Sequence, residues 1–286
     1  MNAVKNKFYD YVRLMRLDKP IGIFLLYVPC LWGLLAGFIH TGQFNPYDFV
    51  FYAVILFMGS VLMRGAGCVI NDYFDRHIDA RVERTKNRPI ASGRISPRHG
   101  LIFFALLCAI SGVILLCLPM RAWAVGVLSL IPVMIYPLMK RITYWPQIFL
   151  GLTFNIGIWV GYVIITPDIN SHLLWLYAAG IFHTLGYDTI YAFQDIKDDI
   201  NIGVKSSARR IQNMPKCFIS LFYGASWLCL YLYLFPVTVF GALYILGLFY
   251  AVQIYLWTPT QNASSLKYFK MAHYNNLLIL ICLFLS

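Results

Sequence analysis

The sequence predicts an all-α membrane protein: a single domain over residues 1–286, built as a bundle of nine transmembrane helices with two Asp-rich motifs at its cytoplasmic side. Three observations lead there. Hydrophobic residues make up 60% of the 286 and charged residues only 12%, about half the charged share of a soluble domain. Nine apolar runs approach the ~20 residues that cross a ~30 Å hydrocarbon core. The basic residues collect in alternate connections between those runs, which is the positive-inside pattern of a multispanning chain.

The first run, 20–39, follows a segment bearing Lys5, Lys7, Arg13, Arg16 and Lys19. No small-residue cleavage site closes it, and Trp32 and Phe38 continue it, so it reads as a retained helix and not a secretory signal. Runs two and three, 48–70 and 97–118, enclose a long loop with seven Lys or Arg between Arg76 and Arg98. Run four, 122–139, ends on Lys140-Arg141. Runs five and six, 147–165 and 173–193, lead into a second basic loop with Lys197, Lys205, Arg209, Arg210 and Lys216. Runs seven and eight, 218–235 and 237–257, would together make ~40 residues, twice a membrane thickness, so the chain must reverse near Pro236. Run nine, 266–285, is the least apolar, opening with Lys267, Lys270, His273, Asn275 and Asn276.

On this count 21 of the 23 Lys and Arg share one side, Arg121 lies opposite, and Arg64 falls inside run two. The N-terminus is therefore expected in the cytoplasm and the C-terminus outside; an even number of spans would break the alternation. The net charge of +11 belongs to this topology and not to nucleic-acid binding. The seven cysteines are scattered through the runs without a Cys-x-x-Cys and read as packing residues, neither disulfides nor metal ligands.

Two segments break the apolar pattern. Residues 71–79, NDYFDRHID, follow run two, and residues 188–199, DTIYAFQDIKDD, close run six; they hold seven of the 12 acidic residues. If the helices continue into them, Asn71, Asp75 and Asp79 share one face, and Asp195 and Asp199 repeat the spacing one and two turns beyond Tyr191 and Asp188. Carboxylates at membrane depth are costly unless paired, so such a cluster demands metal or basic partners. Oxygen ligands without clustered His or Cys suit Mg²⁺, with Asn71, Asp72, Asp75, Asp79, Asp195 and Asp199 as candidate ligands. Mg²⁺ completes its shell with water and phosphate oxygens, so two opposed acidic faces form a clamp for a diphosphate. Solvated loop starts would mix Asp with Glu, yet Glu83 is the only Glu in the chain. A cation or anion transporter is the competing class, but it would place lone acids at mid-span.

Arg64 lies two turns before Asn71 on the same helical face, so the first motif or a bound diphosphate is its expected counter-charge. Lys140 and Arg141 either anchor the topology or receive an anion. His77 and His183 lack metal-ligand spacing and read as interface and bundle packing.

The ordered stretches 16–22 (RLDKPIG), 63–68 (MRGAGC) running into NDxxDxxxD, 84–89 (RTKNRP), 136–141 (YPLMKR) and 186–206 resemble the UbiA family of intramembrane aromatic prenyltransferases. Each motif alone is weak; their joint order over residues 16–206 is specific. The last third has no comparable motif. The resemblance, nearest to the family's bacterial branch acting on 4-hydroxybenzoate, implies transfer of a polyprenyl group from its diphosphate to the ring carbon ortho to the hydroxyl, a step of ubiquinone synthesis. It implies Mg²⁺ held by Asn71, Asp75, Asp79, Asp195 and Asp199. It also implies diphosphate or carboxylate contacts from Arg76 and Arg141, support from Asp188 and Tyr191, and catalytic weight on Asp75, Asp195, Arg141 and Asp188. Arg64, Lys140 and Lys197 complete the expected substrate-binding set, within a lipid bilayer. Naphthoate, homogentisate, haem or a glycerophosphate are the family's alternative acceptors.

Overall fold

The apolar runs fold as helices because a bilayer offers backbone groups no hydrogen-bond partner, and a helix satisfies them internally. A computed structural model describes residues 2–236 and 240–286, and it is helical throughout, with no strand among the described residues. A short N-terminal helix α1 (Asn2–Leu14) precedes α2 (Ile21–Thr41), α3 (Pro46–Asp79), α4 (Pro97–Leu116), α5 (Met120–Leu128), α6 (Leu130–Ile142), α7 (Pro146–Ile165) and α8 (Leu173–Ala192). A 3₁₀ turn (Phe193–Asp195) joins α8 to α9 (Ile196–Ile202), followed by α10 (Ser207–Ile211), α11 (Pro215–Leu234), α12 (Phe240–Leu256), α13 (Asn262–Lys270) and α14 (Ala272–Phe284).

Among the described residues six stretches are long and apolar enough to cross a membrane: α2, α3, α4, the α5–α6 pair, α7 and α11. The expected nine are thus met only in part by length and composition. Run four is two helices, broken at Ser129. Pro132, in the first turn of α6, has no N–H to bond the preceding turn, and the Ser129 hydroxyl bonds the Gly126 carbonyl instead. Run nine is likewise two helices, α13 and α14, meeting at Met271. The reversal between runs seven and eight falls within 235–239, of which 237–239 lie outside the described residues.

The bundle is organised around α2. Its apolar window is 78% buried, against 11% for α4 and for the α5–α6 pair, which turn Ile102, Leu106, Val113 and Ile131 outward. Small residues let α2 and α7 nearly touch: a Cβ on Gly33 would stand 1.9 Å from the Ile158 carbonyl oxygen, and one on Gly161 would stand 2.2 Å from that of Cys30. Buried polar side chains pair across helices, as at Asn155 with Thr184 (2.9 Å), Gln253 with Asn275 (2.7 Å) and His183 with Tyr250 (3.2 Å). His183 is thus bundle packing, as its spacing predicted. His77 is exposed, and all seven cysteines are free thiols.

For the site, α3 matters most. Its 34 residues rise ~51 Å at 1.5 Å each, several turns more than a hydrocarbon core needs, so Asn71–Asp79 ride on a rigid helical extension.

Candidate functional site

Because α3 continues unbroken to Asp79, Asn71, Asp75 and Asp79 do share one face. Each acid of the first motif is buried and holds a basic partner. Lys140 at the end of α6 forms an ion pair with Asp75 Oδ2. Arg88, from the loop after α3, bridges Asp79 (2.7 Å) and Asp72 (3.1 Å). Arg16 donates to both oxygens of Asp72, at 2.8 and 3.1 Å.

The second motif departs from the expected i, i+4 face. The α-helix ends at Ala192, Asp195 closes the 3₁₀ turn, and Asp199 lies on the separate α9. A cation brings the motifs together: Arg84, also from the loop after α3, donates through Nε (2.7 Å) and Nη2 to the two oxygens of Asp195, and through Nη1 to the Tyr191 hydroxyl at 3.0 Å. Such a fork fixes both distance and plane, which a lysine could not do. Burial pushes the Asp199 carboxyl up to about 6, and the charge of nearby Asp195 acts in the same direction.

Deeper in the bundle Arg64 packs against an aromatic cluster. Arg64 of α3 projects between helices, its guanidinium 5.3 Å from the Phe154 ring and so close to Gly22 that a Cβ there would stand 2.4 Å from Nε. That Nε is buried without a hydrogen-bond partner, and so is Oε1 of Gln147. Tyr187, Phe154 and Leu25 form the apolar cluster there, with Tyr136 and Phe269 packed on it. Buried polar atoms are normally paired, so a free donor and a free acceptor in one bundle point to a polar guest.

The predicted residues therefore divide. Asp75 pairs with Lys140, Asp79 shares Arg88 with Asp72, and Asp195 and Tyr191 both receive Arg84; Asn71 stands on the α3 face of Asp75 and Asp79, Asp199 on α9, Asp188 within α8, and Arg64 two turns before Asn71. Four differ from expectation. Asp72, 1% exposed, is taken up by Arg16 and Arg88; seven residues before Asp79, it lies within ~20° of it around α3, and the two acids share Arg88. Arg76 donates to the Tyr73 carbonyl (2.7 Å) and lies over that ring, and Arg141 donates to the Phe74 carbonyl (2.7 Å). Lys197 is exposed on α9. Arg16, Arg84, Arg88 and Gln147 were not singled out from sequence. Arg84 and Asp195 are 111 positions apart, and no local pattern joins them.

Among the described residues no three His, Cys, Asp or Glu close a metal site by themselves. A divalent ion would have to draw part of its shell from water or substrate oxygens, as Mg²⁺ does. The donors fit: Asp75 keeps a buried Oδ1 with no partner, and every acid of the two motifs is a hard oxygen ligand.

Comparison with known proteins gives the family and the fold. The model of the UbiA prenyltransferase family matches residues 26–277. Similar curated proteins include the mitochondrial 4-hydroxybenzoate polyprenyltransferases of Mus musculus (46% identical over 226 residues, 78% of this chain and 59% of the relative) and Caenorhabditis elegans (48% over 214 residues, 74% and 59%). The chain thus spans about 59% of the length of these relatives. Among solved structures, a UbiA homolog from Aeropyrum pernix K1 superposes with a TM-score of 0.70 at 22% identity, covering 92% of this chain and 94% of that one. A UbiA homolog from Archaeoglobus fulgidus bound to GPP and Mg²⁺ has a TM-score of 0.70 at 16% identity, covering 96% and 98%. At those identities the likeness is one of fold.

Proposed function

The chain belongs to the UbiA prenyltransferase family, and from that premise we propose that it transfers a polyprenyl group from its diphosphate to the ring carbon ortho to the hydroxyl of 4-hydroxybenzoate. The observation that carries the reading is the grip of Arg84 on Asp195, which ties the loop after the first acidic motif to the second, with Arg64 against an aromatic cluster deeper in the bundle. Relatives of high identity carry the name 4-hydroxybenzoate polyprenyltransferase, and a structure of the same fold is described with a prenyl diphosphate and Mg²⁺.

In this reading Asn71, Asp75, Asp79, Asp195 and Asp199 hold Mg²⁺, while Lys140, Arg84 and Arg88 face the diphosphate. Bound there, the ion would neutralise charge gathering on the departing diphosphate. The basic side chains do the same from fixed positions, where a preorganised charge costs no reorganisation during reaction. Asp72 is then a structural acid that locks Arg16 and Arg88 in place. The acceptor's carboxylate falls to Arg64, whose Nε is free, and not to Arg76 or Arg141, which are committed to backbone carbonyls. In this reading Asp188 steadies Arg64 and takes the proton that the ring carbon sheds. The apolar walls keep water from the allylic cation.

The finer topology belongs to this proposal as well: α8, α12 and the α13–α14 pair complete nine spans, with the Asp motifs and the N-terminus on the cytoplasmic side of a bacterial inner membrane. Anionic aromatic acids would enter from that basic side.

The test is a detergent-purified assay with Mg²⁺, a polyprenyl diphosphate and a panel of acceptors, read by mass spectrometry. We expect ortho-prenylated 4-hydroxybenzoate, abolished by EDTA and restored by Mg²⁺, and little product from the uncharged amide, which leaves Arg64 unpaired. A naphthoate, haem or glycerophosphate product in its place would overturn the acceptor.

A further inference from the structure

The last third of the chain has no motif, yet one of its side chains reaches the site. The 3₁₀ turn Phe193–Asp195 interrupts the helix that carries the second motif, so the position of Asp195 is not set by continuous α-helical hydrogen bonds. Side chains from the corner between α12 and α13 brace it on both sides. Trp257, fully buried, meets Phe193 edge-on at 5.1 Å and donates to the Ser265 hydroxyl at 3.1 Å, which ties the corner to α13. Thr258 N–H bonds the Ser264 hydroxyl at 2.9 Å. So anchored, α13 lays Phe269 on the Tyr191 ring, centroids 4.3 Å apart, and within 5.9 Å of Tyr187. Tyr191 in turn receives Arg84 twice, by hydrogen bond to its hydroxyl and with the guanidinium 5.3 Å from its ring centroid.

We propose that Phe269 is a positioning residue for the diphosphate site, holding the Tyr191 ring where it seats Arg84 on Asp195. The part of the chain without sequence motifs thereby sets the affinity for the prenyl donor. The Arg84–Asp195 fork is partly exposed, so water and side-chain entropy oppose it and a fixed neighbour adds to its definition. A packed aromatic neighbour restricts the rotamers of Tyr191 and of the arginine lying over it. In this scheme Phe269 acts through Tyr191, and its contact with Tyr187 is packing at the edge of the aromatic cluster.

The proposal rests on the donor site described above, and its test separates the two. Inorganic pyrophosphate with Mg²⁺ serves as the probe, its binding to the full-length protein in detergent read as a rise in melting temperature, alongside steady-state kinetics. In Phe269→Ala we expect about tenfold more pyrophosphate for the same stabilisation and a similar rise in KM for the prenyl diphosphate, with KM for the aromatic acid unchanged. Phe269→Leu, which keeps most of the apolar volume but loses the ring, should behave alike and serves if the alanine variant does not fold. Phe269→Tyr should restore both readouts. In a Tyr191→Leu background, Phe269→Ala should add nothing, since both changes remove one contact. Wild-type pyrophosphate affinity in the alanine and leucine variants, equal shifts in both substrates' KM, or additive effects with Tyr191→Leu would each overturn the proposal. A wild-type protein stabilised by pyrophosphate but inert toward 4-hydroxybenzoate would remove the acceptor assignment and leave this inference standing.

Discussion

Asp75 carries the tension of the whole site. It is 1% exposed, its Oδ2 is paired with Lys140, and its Oδ1 has no partner; a buried acceptor left this way is costly unless a ligand completes it. Asp75→Asn and Asp195→Asn keep the shape and remove the charge, so each is expected to lower kcat by about 100-fold or more while the protein still inserts and elutes as a monodisperse species. Turnover near wild type in both would detach the motifs from the chemistry. Arg141 presents the opposite case. Its guanidinium caps the Phe74 carbonyl, a single acceptor that a lysine also reaches. Arg141→Lys should leave both KM values within about twofold of wild type; a selective loss of affinity for one substrate would show that it grips an anion.

At the scale of elements, geometry follows from a few residues. The α2–α7 contact depends on glycines whose missing side chains admit the opposing backbone. Gly33→Ala places a methyl group 1.9 Å from a carbonyl oxygen, so the helices must separate; we expect a loss of about 1–3 kcal/mol, the usual cost of overpacking, seen as a lower melting temperature in detergent. An unchanged melting temperature would mean that α2 can shift without penalty. The length of α3 works differently: it carries the first motif beyond the apolar core without a loop, so Asn71, Asp75 and Asp79 hold their register. The second motif gives up that rigidity at its 3₁₀ turn, and side chains distant in sequence brace it there.

For the whole molecule, charge decides orientation and packing decides the site. With 21 of 23 Lys and Arg on one side of a nine-span arrangement, a reporter that works only in the cytoplasm should be active on the N-terminus and silent on the C-terminus; activity at both ends would reduce the spans to an even number. The sequence by itself determined the helical membrane class, the near boundaries of most helices, the two acidic motifs and their family. All of these are local: hydropathy over ~20 residues, charge on adjacent loops, and i, i+4 spacing. Only the tertiary structure decided that Arg84 ties the loop after the first motif to Asp195, that Arg16 and Arg88 occupy Asp72, that Arg141 binds backbone, and that Phe269 reaches Tyr191. Each depends on contacts between residues far apart in the chain. In a bundle where nearly every helix is apolar all round, hydropathy identifies the helices, and it is the close fit of glycines, aromatic rings and buried charges that chooses which of them meet.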